Sequence, residues 1–105
     1  MPATRYEILV PLRYNDGAEV EPAKFLLTKK ELVAQFGVLT FDPHPVQGVW
    51  SAEGVAYEDT LLKYVVDADP DTPEVQDFFA RLKEVLKKRF RQIDVWIVAY
   101  PIRII

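Results

Sequence analysis

The chain has 105 residues, half of them hydrophobic, with no cysteine, a net charge of −3 and a pI near 5.1. That length suits one domain whose core stands without disulfides or metal. The missing cysteine excludes thiol catalysis, a disulfide framework and cysteine-ligated zinc, and the acidic balance argues against a nucleic-acid surface, which normally carries a basic excess.

The amino-terminal run MPATRYEILV lacks the apolar segment of a signal peptide, and no apolar run approaches the roughly 18 residues needed to cross a bilayer. A soluble cytoplasmic protein with no membrane partner is the expectation. Residues 5 to 14 alternate: Tyr6, Ile8, Val10, Leu12 and Tyr14 on one side, Arg5, Glu7, Leu9, Pro11 and Arg13 on the other. A period of two is a strand, and NDG at 15 to 17 ends it with turn residues.

Residues 22 to 36 suit a helix. Pro22 fits its first position, where a missing N–H costs nothing, and Gly37 fits a left-handed C-terminal cap. Thr28 and Glu31 have capping-box spacing and offer an alternative start. The longer helix is preferred, because Phe25, Leu26, Leu32, Val33 and Phe36 form a broad stripe. Strand character returns at 38 to 42, VLTFD. The DPHP that follows belongs at a sheet edge or outside the sheet, since proline cannot donate to a ladder.

The stretch HPVQGVWSAEG at 44 to 54 holds the sole histidine. Its VQGV also occurs in the phosphate-binding loop of acylphosphatases, where backbone amides and a following arginine hold an anion. Here WSA follows, without arginine, and a turn comes next, so a β-hairpin is the better reading. With Glu53 and Gly54 as a two-residue loop, Trp50 faces Tyr57 and Gly48 faces Asp59.

Residues 72 to 91 form the second helix, with Thr72 as N-cap, Pro73 first and Glu74 in the first turn. Val75, Phe78, Phe79, Leu82, Val85, Leu86 and Phe90 keep helical spacing. Asp77 with Arg81, and Glu84 with Lys88, are favourable i, i+4 pairs. Residues 93 to 100, IDVWIVAY, make the last strand. The order strand, helix, strand, strand, helix, strand predicts a ferredoxin-like α+β sandwich, a single domain over residues 1–105 with both helices on one sheet face.

The run NDG at 15 to 17, the set Phe36, Gly37, Leu39 and Thr40, the pattern Gly48, Trp50, Gly54, Tyr57 and Asp59, and KKRFRQ at 87 to 92 together resemble a group of short bacterial proteins of uncharacterised function. The resemblance spans most of the chain and implies a ferredoxin-like fold. It implies no activity, cofactor or catalytic residue.

Candidate chemistry is sparse. His44 lacks the partners of a triad or a zinc site and reads as a loop residue between two prolines. The acids Asp67, Asp69, Asp71, Glu74 and Asp77 do not follow calcium-loop spacing. They cluster at the start of the second helix while Lys87, Lys88, Arg89 and Arg91 cluster at its end, which complements the helix dipole. Glu58 and Asp59 are adjacent on a strand and point to opposite faces.

The stronger signal is a surface. If Tyr6 to Leu12 and Ile93, Val95, Ile97 and Ala99 face the helices, the open face carries Leu9, Trp50, Tyr57, Leu61, Val65, Trp96, Val98 and Tyr100. A patch of this kind marks a contact site. The expectation is a non-catalytic binding or assembly module, a homodimer joined through that face. The alternative is a small enzyme or ligand-binding protein with a pocket near His44, Trp50, Tyr57 and Asp59. RNA stacking on the face ranks last, because the basic and aromatic signature of such domains is missing.

Overall fold

The computed structural model describes residues 2–105, apart from the side chains of Pro43 and His44. The elements run β1 (Ala3–Pro11), α1 (Pro22–Phe36), β2 (Thr40–Ala52), β3 (Val55–Ala68), α2 (Pro73–Arg89) and β4 (Trp96–Ile102). The four strands form one antiparallel sheet in the order β2-β3-β1-β4. Both helices pack on the same face, which makes the βαββαβ ferredoxin-like sandwich.

Alternation in β1 sets the core. Tyr6, Ile8 and Val10 are buried on the helix side, beside Tyr64, Val66 and Ala68 of β3. From α2, Phe79, Leu82, Leu86 and Phe90 close over them, with Leu32 from α1. The Tyr6 ring stacks on Phe79, centroids 3.8 Å apart, and Phe36 of α1 stacks on the same Phe79. Tyr6 then donates its hydroxyl proton to Asp71 at 2.6 Å, so the one polar end of that stack is satisfied.

The α1 boundaries follow the expected signals: Pro22 in the first turn and Gly37 at φ 78° in the C-cap. Gly37 N–H donates to the Val33 carbonyl, and the positive φ there is the conformation glycine adopts without a Cβ penalty. The expected stripe needs correction. Leu26 and Val33 are exposed, and the inward line is Phe25, Thr28, Leu32 and Phe36. Thr28 is fully buried because two partners satisfy its hydroxyl: it donates to the Lys24 carbonyl and accepts from Arg89. Arg89 also makes a bidentate ion pair with Glu31, which ties the end of α2 to the middle of α1.

Thr72 caps α2 by accepting from Val75 N–H at 3.3 Å. Val85 is exposed rather than packed, and Glu84 is ion-paired with Lys87, one position short of the expected Lys88.

The last strand begins at Trp96 rather than at Ile93. Arg91 sits at φ 53°, and Asp94 accepts from the Val95 N–H, so residues 91 to 95 form a loop that leaves Ile93 80% exposed. Val95 and Ile97 do point inward. Ala99, on that same side, is exposed.

Among the described residues, no helix is long and apolar enough to cross a membrane.

Candidate functional site

Glu53 at φ 52° followed by Gly54 at φ 79° makes the two-residue loop between β2 and β3. Two consecutive positive φ values match the right-handed twist of a tight hairpin. Gln47, Gly48 and Val49 pair with Thr60, Asp59 and Glu58. The VQGV run is therefore a ladder strand and not a phosphate loop. Gly48 has a packing reason, since a Cβ there would lie 3.2 Å from the Leu61 side chain.

β2 carries a register shift between Asp42 and Val46, where the prolines interrupt it. Beyond this shift the hairpin outruns the sheet. β1 pairs with β3 only as far as Pro11 opposite Leu61, apart from one further bond from Leu12 N–H to the Thr60 carbonyl. Residues 46 to 60 thus project as a two-stranded arm.

Directly opposed residues share a face, so the register assigns the open one. Trp96 lies beside Leu9 and Lys63, Val98 beside Glu7 and Val65, and Tyr100 beside Arg5 and Asp67. Pro11 pairs with Leu61, which pairs with Val46. Trp50, Tyr57 and Asp59 continue this face along the arm. All eight aromatic and aliphatic residues assigned to the open side by alternation lie there. Trp96 is the most prominent, at 67% exposed.

The charges on this face are matched within the chain. Arg5 donates to both carboxylate oxygens of Asp67, at 2.7 and 3.0 Å. That hydrogen bonding holds the Asp67 carboxyl below its usual range. Glu7 accepts from the Tyr100 hydroxyl at 2.5 Å and lies 3.7 Å from the Lys63 ammonium. The bond to Glu7 pushes the Tyr100 phenol above its ordinary value, because losing its proton would set two anions together.

On the arm, Trp50 stacks on Tyr57 with centroids 4.4 Å apart and donates its indole N–H to Asp59 at 2.7 Å. Trp50 is the group that takes up the Asp59 carboxylate. Of the expected pocket, the structure brings Trp50, Tyr57 and Asp59 together, while the His44 side chain lies outside the described residues. At the root of the arm a shallow cleft of about 200 Å³ is lined by Arg13, Tyr14, Asn15 and Gly17 on one wall and residues 57 to 60 on the other.

Among the described residues no acid or histidine cluster is suited to a metal ion. Asp67 and Asp71 of the acidic run are engaged by Arg5 and Tyr6.

A second polar cluster was not foreseen from the sequence. Tyr14 is buried; it donates to Glu21 and accepts from Lys24, with the Arg91 guanidinium 4.5 Å above its ring. The Tyr14 hydroxyl, aided by Lys24, lowers the Glu21 carboxyl to about 2. This cluster fastens the loop after β1 to the start of α1 and to the segment just after α2.

No family model matches the sequence, and no curated protein matches it. Solved structures do. CutA1 from Oryza sativa superposes with a TM-score of 0.66 at 13% identity, covering 98% of this chain and 82% of that one. A phage SAM lyase, solved in complex with S-methyl-5'-thioadenosine, superposes with a TM-score of 0.68 at 14% identity, covering 98% and 91%. At such identities the likeness concerns the fold, and what this chain shares with both proteins is its α+β sandwich.

Proposed function

We propose that the chain is a non-catalytic, cytoplasmic assembly or binding module that acts as a homodimer, sheet against sheet. One observation carries the reading: three neighbouring strands turn Leu9, Leu61, Val65, Trp96, Val98 and Tyr100 to the same uncovered side. Aromatic residues supply large contact area at low entropic cost and dominate such interfaces. The polar groups between them are already paired within the chain, which lowers the penalty of removing them from water.

A stable dimer of this kind buries on the order of 1,200–2,000 Å². Trp96→Glu would set an unpaired charge within it. The substitution should halve the particle mass in light scattering and leave the melting transition in place, since Trp96 lies outside the core. An unchanged mass refutes the reading.

The cleft beside Tyr57 and Asp59 favours a second reading, a small-ligand site. It ranks behind the first because about 200 Å³ is less than the roughly 300–1,000 Å³ of ordinary ligand pockets.

A further inference from the structure

Two strands border the sheet. β4 carries Pro101, and β2 is interrupted by Pro45 and the register shift beside it. Proline in an edge strand discourages further pairing. The arm has a third edge, on β3, left open where β1 ends. In an antiparallel ladder every second residue directs its N–H and C=O to the same neighbour. The bond from Leu12 N–H to the Thr60 carbonyl fixes the phase: even-numbered residues of β3 address the β1 side. Ala56 and Glu58 direct their main-chain groups the same way. Among the described residues, no main-chain bond from the loop after β1 reaches them.

The charge along this edge is one-sided. Residues 46 to 60 hold Glu53, Glu58 and Asp59 and no lysine or arginine, so the arm alone accounts for the chain's net charge of −3. Among the described residues Glu58 has no hydrogen-bond or ion-pair partner, and Asp59 is engaged only by Trp50. Arg13, across the cleft, is turned to its own loop: it donates to the Gly17 carbonyl at 3.2 Å and lies 3.6 Å from Glu19. The cleft of about 200 Å³ at the inner end of the open edge is therefore acidic on its β3 wall, while the cation opposite is already matched.

We infer that this edge takes an extended peptide of a partner protein, antiparallel to β3, with a free amino terminus and a basic second residue. Strand addition of this kind draws affinity from main-chain bonds and specificity from alternate side chains. β3 runs from the turn toward the body, so an antiparallel peptide starts at the cleft and runs outward to the turn. Its first residue lies opposite Asp59 and stops short of Thr60, whose carbonyl Leu12 already occupies. The loop from Arg13 to Gly17 walls the cleft beyond that point, which suits a chain end and not a strand passing through. An ammonium is matched there by Glu58 on one face of β3 and Asp59 on the other. A parallel peptide would set its carboxylate against the same two acids.

The second residue pairs with Glu58, and a lysine or arginine in that place makes an opposite-charge cross-strand pair. The third lies opposite Tyr57 on the open side, where an aromatic ring extends the stack of Trp50 on Tyr57. The fourth pairs with Ala56, and the fifth reaches Val55. Trp96 and the sheet face are not used, so the peptide site holds or fails independently of the face-to-face dimer.

The probe is the synthetic pentapeptide Ala-Lys-Tyr-Lys-Val, titrated into the full chain by calorimetry. Acetylating its amino terminus should weaken binding about tenfold, since charge-assisted bonds are lost. Ala-Glu-Tyr-Glu-Val should not bind. Glu58→Lys should reverse the preference and favour the glutamate peptide. The inference is overturned if the lysine peptide fails to bind at millimolar concentration, or if the acetylated peptide binds as well as the free one. A Glu58→Lys variant that still prefers the lysine peptide overturns it too.

Amide exchange on the unaltered chain locates the peptide. Ala56 and Glu58 should slow on its addition, while Val49, which addresses the outer edge of β2, keeps its rate. Equal slowing of all three overturns the edge. Trp96→Glu should leave the affinity for the peptide unchanged; a loss of binding would move the peptide to the sheet face and overturn the edge as well.

Discussion

The body and the arm are made by the same two strands, β2 and β3, yet they are held in different ways. In the body, the helix-side residues Tyr64, Val66 and Ala68 of β3 are buried and Leu62 is partly so. In the arm, the helix-side residues Val49, Ser51, Ala56 and Glu58 are all exposed, Val49 at 72%. Alternation continues without a break along β3, but burial stops where β1 ends. A strand pattern therefore reports which way side chains point, and only the neighbouring layer decides whether pointing inward means being buried. A two-stranded ribbon with neither face covered is marginal by itself. The arm's internal support is the Trp50–Tyr57 stack and the bond from Trp50 to Asp59.

The contrast is sharpest for truncations of similar chemistry. Leu86→Ala removes a fully buried side chain from the body and should cost about 2–5 kcal/mol in denaturant unfolding. Val49→Ala in the arm should stay within about 0.5 kcal/mol, the range of ordinary surface changes. Comparable losses for the two would mean that the arm is packed against something the isolated chain does not show.

A smaller effect separates global from local stability. Trp50→Ala removes an aromatic pair worth about 0.5–1.5 kcal/mol. Its effect should appear as faster amide exchange in residues 47 to 59, with the body's exchange and the midpoint of unfolding nearly unchanged. A large midpoint shift would show that arm and body unfold as one unit.

The smallest effect concerns acid and belongs to the body. Glu21 has its carboxyl lowered from 4.5 to about 2, chiefly by the Tyr14 hydroxyl. A depressed carboxyl stabilises the fold above its unfolded value, and this contribution fades as the pH falls toward the folded one. Wild type should melt above Glu21→Gln at neutral pH, and the gap should close between pH 4.5 and about 2. A constant gap across that window would remove the ionised carboxylate from the account.

Much of the fold is legible in the sequence, because its strongest signals are local. Pro22 and Gly37 bracket α1, Thr72 and Pro73 open α2, and Glu53-Gly54 closes the hairpin. The open face is legible as well, since Lys63 fixes the phase of β3 and alternation does the rest. Ile93 misleads because the alternation of IDVWI runs on through a loop. The turn that breaks it depends on Arg91 taking a positive φ, for which the letters give no warning.

The Arg89–Glu31–Thr28 clasp is hidden for another reason. Arg89 stands among four bases that the helix dipole already accounts for, and Thr28 among residues that read as an amphipathic stripe. That Thr28 and Glu31 lie three apart on one helix face was the available clue. The arm is invisible for a third reason: nothing in residues 46 to 60 says that β1 will stop at Pro11.

The central place of β1 has a consequence for how the chain is made. Its partners are distant in the chain: Thr4 pairs with Ala68, and Ala3 with Ile102. During synthesis β1 emerges ahead of both its neighbours, and β4 is the last of the four strands to follow it. Closing loops of that length precedes any reward from the contacts and slows folding. The β2–β3 hairpin needs only a two-residue turn, so it is the first part of the sheet able to close. The segment with least support in the finished molecule is thus the earliest able to close, while β1 pairs with its lower half alone and β4 with β1.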